Sequence, residues 1–367
     1  MRVLIVNFGS STLKFKAFEM RTEKVLLEGH IEFGRGGAAG AARSMIRHIR
    51  QTFPLSTVST VGHRVVHGGP KYGISAIITD EVLADVDHYA CFAPLHNPPA
   101  AAGIRLMRNL LPNADHMAVF DTGFHRDMPP VAYLYGLPYE LAEKHGIRRY
   151  GFHGMSHQYV AQRCAVLMAR PLRKLKLITC HIGAGTSIAA IANGRSIDTS
   201  MGMSPLQGVI MGTRSGTVDP AIVEFLMEKE NLGYEEIIQL LNKKSGLYGL
   251  SGLTGDIRTL EAAAKKGHPR AKVALDVHTY QIQKFIGSYL VALNGADAIV
   301  FTAGVGENSA RIRAAVAENL AFAGVRLDPA VNQTGKGERR ISIDRSKISL
   351  WVIPTNEELM IARETVR

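Results

Sequence analysis

Short apolar runs alternate with polar, Gly-rich turns from the start of the chain. Residues 2–6, Arg-Val-Leu-Ile-Val, read as a buried strand, and the turn Asn7-Phe8-Gly9-Ser10-Ser11 follows. Beyond it Leu13, Phe15 and Ala17 alternate with Thr12, Lys14 and Lys16, the period of a half-buried strand. This predicts a hairpin with a polar tip. The same plan recurs in mid-chain, where 175–180 lead into the turn His181–Ser187, a strand over 188–192 and the turn Asn193-Gly194. Further strands are expected at 75–79, 116–120, 298–302 and 350–353. Helices are expected at 221–229, 234–243, 268–293, 309–320 and 357–365, and 331–340 reads as a polar loop. Thr355-Asn-Glu-Glu358 has the pattern of a capping box for the last helix. Strands interleaved with helices predict an α/β fold, and the repeated hairpin predicts two domains of related topology.

At 367 residues the chain is long enough for two domains. No apolar run approaches the ~20 residues needed to span a bilayer, and the N-terminus turns polar too early for a signal peptide. No membrane partner is expected. Cys91, Cys164 and Cys180 have no metal or redox spacing and read as reduced thiols of a cytoplasmic protein. The net charge of +11 is spread over short clusters at 170–176, Lys265-Lys266 and Arg339-Arg340. Without a basic block interleaved with aromatics, no nucleic-acid partner is expected, and a few of these cations serve to attract anionic substrates.

The candidate chemistry sits in polar loops. The longest, 198–220, carries Arg214 between Gly212-Thr213 and Ser215-Gly216. Small neighbours leave its planar fork uncovered and able to grip an anion with two bonds. The turn ahead of Lys14 offers successive N–H groups to a phosphate, or is a plain hairpin with a solvated Lys. His181–Ser187 repeats that logic. In 297–309 a strand ends in a Gly turn and opens a helix near Ser309, which suits a nucleotide or is only a tight connection. Residues 61–69 place Arg64 beside His63 and His67, for an anion or as a surface turn. Residues 150–157 place His153 between aromatic and Gly residues, as a donor in a cleft or a satisfied core His. Asp121 follows the strand ending at Phe120, where ligands of open α/β sheets collect. Glu357 stands at a helix N-terminus. There is no Walker A motif, no protein-kinase signature and no zinc-type His or Cys pairing.

Taken together, these motifs resemble the acetate kinase family over essentially the whole chain. The stretches are Asn7–Lys14, 62–69, 94–99, 120–125, 149–154, 198–220, 245–252, 301–309 and 355–359. The resemblance implies the superfamily of acetate and sugar kinases, heat-shock ATPases and actin. Two actin-like (ribonuclease H-like) domains, 1–123 completed by 357–367 and 124–356, would flank an interdomain cleft. It also implies a homodimer using ATP/ADP with Mg²⁺ or Mn²⁺ and a small carboxylate, acetate or acetyl phosphate. Carried over by position, Asn7 and Glu357 are metal-associated. Lys14, His181-Ile182-Gly183-Ala184-Gly185, Asp256-Ile257-Arg258 and Gly304-Val305-Gly306-Glu307-Asn308 belong to the nucleotide. Arg64 binds substrate, while Val66, Leu95, Phe152 and Pro205 form a small apolar pocket. Asp121, His153 and Arg214 are catalytic. The sequence departs from the family pattern at Phe8, Thr12, Ala100, Met155 and Ala184, and in its shorter length.

This chemistry needs no general base, because a carboxylate with pKa near ~4–5 is already ionised. Asp121 is therefore expected to orient Arg214 or the metal. Propionate or butyrate kinase is the alternative of the same mechanism, and a non-catalytic nucleotide-binding module is the alternative of another class.

Overall fold

In the computed structural model, which describes residues 1–367, the first hairpin grows into a three-stranded antiparallel meander. Its strands are β1 (Arg2–Phe8), β2 (Thr12–Glu19) and β3 (Lys24–Glu32). The strands β4 (Val58–Val65) and β6 (Asp115–Phe120) extend the sheet parallel to β1, and β5 (Ser75–Ile77) closes its edge antiparallel. The order is β3-β2-β1-β4-β6-β5. Helix Gly37–Thr52 buries Ala41, Ala42, Met45, Ile46 and Ile49, an i, i+3/i+4 stripe, among Leu4, Val6 and Phe15. The compact unit built on this sheet comprises Met1–Arg126, Phe152–Ser156 and Asn356–Arg367.

The last helix, Glu357–Thr365, packs on β1, β4 and β6. Gly62 makes that approach possible: a Cβ there would stand 2.4 Å from Thr365 Oγ1 and 2.7 Å from Ile5 Cδ1. Phe8 departs from the family pattern yet is a core residue, its ring seated where a Cβ on Gly103 would otherwise lie, 2.3 Å away.

A second unit comprises Asp127–Gly151 and His157–Thr355. Its meander is β7 (Lys176–Ile182), β8 (Thr186–Ala192) and β9 (Arg195–Thr199). The strands β10 (Ala298–Thr302) and β12 (Ser349–Val352) run parallel to β7, and β11 (Arg339–Arg340) is the antiparallel edge. The order β9-β8-β7-β10-β12-β11 repeats that of the first sheet. Ile178, Cys180, Ile299 and Phe301 meet Ile282 and Ile286 of helix Pro269–Ala292 in the core. The α/β class read from the alternation is borne out.

Four local expectations change. Residues 61–65 are part of central strand β4 and not of a turn; Gly62, His63 and Arg64 interrupt the apolar pattern although His63 is fully buried. Within 331–340 lie the end of helix Pro329–Thr334, capped by Asp328 accepting from Val331 N at 3.0 Å, and the short β11. The chain after β10 is helical at once, Ala303–Asn308, and Ser309 caps a second helix, Ala310–Glu318. The cap of the last helix is Asn356 and not Thr355: Asn356 Oδ1 accepts from Leu359 N at 3.1 Å.

Candidate active site

In the first unit, the parallel strands β1, β4 and β6 bring Asn7, Arg64 and Asp121 to one end of the sheet. Arg64 and Asp121 meet fork to fork: Nε donates to Oδ1 at 3.1 Å and Nη2 donates to Oδ2 at 2.6 Å. Asp121 is buried. The sequence reading has Asp121 orient Arg214 or the metal; in the structure its carboxylate engages Arg64. That pairing, with Glu357 nearby, raises the pKa of Arg64 and holds its charge. Burial pushes the Glu357 carboxyl up, Arg64 and Lys14 oppose this, and Asp121 and Glu358 reinforce it. Lys14 lies across from Asn7 in the β1–β2 register.

His153 has φ of +57°, a left-handed conformation that costs a non-Gly residue energy and so marks a constrained position. Gly154 N donates to Asp121 O at 3.0 Å, and a Cβ on Gly154 would stand 2.2 Å from that oxygen. Only glycine lets this segment press on Asp121. His125 Nε2 donates to Phe152 O at 3.1 Å, and burial lowers the His125 pKa to about 4, which keeps the ring neutral. Val66 and Phe152 are buried, whereas Leu95 stands 60% exposed.

In the second unit the turns between strands cluster. Gly212 N donates to Ala184 O at 3.4 Å, so the Arg214 loop touches the β7–β8 turn. A Cβ on Gly255 would lie 2.4 Å from Gly212 O, and one on Gly183 would lie 3.6 Å from Ala303 Cβ. The segments 181–185, 212–214, 255–258 and 303–308 thus form one group of small-residue turns and helix starts. Arg214 is not uncovered as its small neighbours suggested. Its Nη1 donates to Pro205 O at 2.9 Å and lies 3.4 Å from Met211 Sδ, and burial lowers its pKa. Asp256 caps helix Ile257–Lys265 through Thr259 N at 2.9 Å; that bond first, then Arg258 at 3.1 Å, lowers its pKa. Ala303 opens its helix with φ of +64°. Glu307 accepts from Thr355 N at 3.3 Å, and burial raises its pKa.

Other contributors were not singled out from the sequence. Asn97 is fully buried and clamps His67 from both sides, accepting from His67 N at 3.1 Å and donating to His67 O at 2.9 Å. Its signal was an Asn before Pro98-Pro99 at a helix start. Arg313, 1% exposed, donates to Gly306 O and Glu307 O, each at 2.9 Å, and to Asn332 Oδ1 and O, each at 2.8 Å. It supports the short helix Ala303–Asn308 from behind. An Arg on an Ala-rich helix gives no sign of burial.

Residues 34–363 match the profile of the acetokinase family. An acetate kinase of Natranaerobius thermophilus is 49% identical, across 99% of this chain and 98% of that protein. Among solved structures, an acetate kinase of Porphyromonas gingivalis superposes with a TM-score of 0.93 at 41% identity, covering 100% of this chain and 98% of that one. A propionate kinase of Francisella tularensis subsp. tularensis SCHU S4 superposes with a TM-score of 0.94 at 37% identity, covering 100% and 99%. The actin-like form of the α/β fold agrees with these matches.

Proposed function

The chain belongs to the acetokinase family, and we propose that it transfers the γ-phosphoryl group of ATP to acetate, reversibly, giving acetyl phosphate and ADP. The Arg64–Asp121 fork carries the reading. Asp121 occupies Nε and Nη2 of Arg64 and leaves the Nη1 end for a carboxylate substrate. It fixes the plane of the guanidinium and secures its charge. A carboxylate oxygen attacks the γ-phosphorus as the bond to the β–γ bridging oxygen breaks. No proton moves, so Asp121 orients and does not abstract.

Charge is the main obstacle, since one anion must approach another. Arg214 and His153 are read as stabilising the transferring group, and an Arg in that role is worth roughly 10³–10⁵ in rate. The group of small-residue turns in the second unit supports a nucleotide reading for 181–185, 256–258 and 304–308. Val66, Leu95, Phe152 and Pro205 are read as the pocket for the methyl group.

Asn7 and Glu357 are read as holding Mg²⁺ or Mn²⁺ with the nucleotide. The residues fit: both donors are oxygens, and around Arg64 and Lys14 three carboxylates, Asp121, Glu357 and Glu358, face two cations. No group of three His, Cys, Asp or Glu converges to hold a metal ion by itself, so the ion would take further ligands from phosphate and water. When bound, it neutralises charge developing on the phosphates.

A homodimer fits helix Ala221–Glu230, which buries no residue while Ile222, Phe225 and Met227 are 40%, 58% and 37% exposed. A cytoplasmic location fits the three free cysteines, and no helix is long and apolar enough to cross a membrane. The test is ATP- and Mg²⁺-dependent acyl-phosphate formation, trapped with hydroxylamine, from acetate, propionate and butyrate. Acetate should show the highest kcat/KM, and a preference for propionate would name the other kinase. No acyl phosphate from any of the three, with ATP still bound, would leave a nucleotide-binding module.

A further inference from the structure

The segment 199–207 joins β9 to the Arg214 loop and has no regular structure beyond Thr199. Its carbonyls are nonetheless gripped in succession. Arg149 Nη1 donates to Thr199 O at 2.9 Å, Ser200 O at 3.2 Å and Met201 O at 3.3 Å. The amides of Tyr150 and Gly151 donate to Gly202 O at 3.1 and 3.2 Å.

A side chain takes over from there. The Tyr135 hydroxyl accepts from Met203 N at 3.0 Å and donates to Gln207 Oε1 at 2.6 Å. Its ring lies under the Arg149 guanidinium, 5.9 Å from centroid to Cζ. The junction has no spare room: a Cβ on Gly202 would stand 1.9 Å from Gln207 Oε1 and 2.4 Å from the Tyr135 hydroxyl. The hydroxyl therefore ties 203 to 207 across a short loop. Pro205 stands in the middle of that loop, and its carbonyl holds Arg214 Nη1 at 2.9 Å.

We infer that Tyr135 is a positioning and specificity-determining residue. Its two hydroxyl bonds fix the loop that aims Arg214 and that presents Pro205 to the substrate's alkyl group. Rate and acid preference then depend on one hydroxyl whose bonds are to Met203 N and Gln207 Oε1. The inference rests on the roles proposed above for Arg214 and Pro205.

The test uses full-length Tyr135→Phe, Gln207→Ala, Gln207→Glu and Arg214→Ala. In Tyr135→Phe, kcat with acetate should fall about 10-fold or more while the ATP KM stays within about 2-fold. The acetate-to-propionate ratio of kcat/KM should fall by about 3-fold or more, because a loosened wall discriminates less. Gln207→Ala should behave alike. Gln207→Glu keeps an acceptor for the hydroxyl and should stay within about 2-fold of the parent. Amide exchange over 203–207 should quicken in Tyr135→Phe and not in Gln207→Glu. Parental kcat and ratio in Tyr135→Phe would overturn the inference, as would equal loss with both acids. If Arg214→Ala retains activity, the role given to Arg214 is what fails. The exchange arm then decides the brace by itself: faster exchange upholds it and unchanged exchange refutes it.

Discussion

At the first sheet the strand ends carry charged side chains: Arg64 and Asp121 in a fork, with Lys14, Glu357 and Glu358 around them. At the second sheet, built in the same strand order, the corresponding region is a set of small-residue turns, 181–185 and 212–214, with the short helix 303–308. On the roles proposed above, the difference follows from what each would bind. A small carboxylate offers two oxygens and little else, so a fixed cation must supply recognition. A polyphosphate has many oxygens, and several main-chain N–H groups serve it without desolvating a side chain. One scaffold thus supports two solutions, one from side-chain charge and one from backbone geometry.

Arg64→Ala should strike the first sheet hardest. Acyl-phosphate formation should fall by about 10³-fold or more, with ATP affinity by calorimetry nearly unchanged. A matching loss of ATP binding would end the division of labour. Asp121→Asn should cost about 10²-fold, chiefly through the acetate KM, because the guanidinium loses its charged anchor.

Arg313→Met probes the other sheet. It strips the hydrogen bonds from Gly306 O, Glu307 O and Asn332, so stability should drop by about 3 kcal/mol in denaturant melts. ATP affinity should weaken about 10-fold while the acetate KM holds. An unchanged ATP affinity would show that the short helix needs no support from behind.

Acid acts on both units, since each buries a neutral histidine, His125 in one and His278 in the other, with pKa lowered to about 4 by burial. Folded values below the unfolded value of about 6.5 mean that the unfolded chain binds more protons between those limits. Stability is complete above pH 6.5 and falls as pH drops toward 4, by at most about 3 kcal/mol for each ring. The smallest effect is His278→Leu. Neither ring nitrogen of His278 has a hydrogen-bond partner, so the apolar residue should raise stability by about 1 kcal/mol and flatten the acid limb. Destabilisation at pH 7 would reveal a packing role instead.

Much of the first region was legible because its chemistry is local in sequence. Asp121 directly follows an apolar strand, and Glu357 opens a helix. Arg64 was found as a candidate although its strand was not, because His63 and Arg64 hide the apolar pattern of β4. The partner of Asp121 could not be read, since the pairing joins residues 57 positions apart on neighbouring strands. The covering of Arg214 was misjudged because flanking Gly and Ser say nothing about Pro205, which folds back upon it. Buried polar supports such as Asn97 and Arg313 were invisible for the same reason: their partners come from the fold.

The helix Glu357–Thr365 completes the first unit, resting on β1, β4 and β6, with Arg363 donating from Nε and Nη2 to the two carboxylate oxygens of Glu23, each at 2.7 Å. A growing chain therefore finishes every strand of the second unit before it can finish the first. During synthesis the floor of the first sheet stays open while some two hundred further residues emerge, roughly 10–40 s at ordinary elongation rates. Over that interval Gly62, on which Thr365 and Ile361 pack in the folded chain, lacks that cover. Maturation is then closed by one late docking event, which delivers Glu357 and the missing floor together.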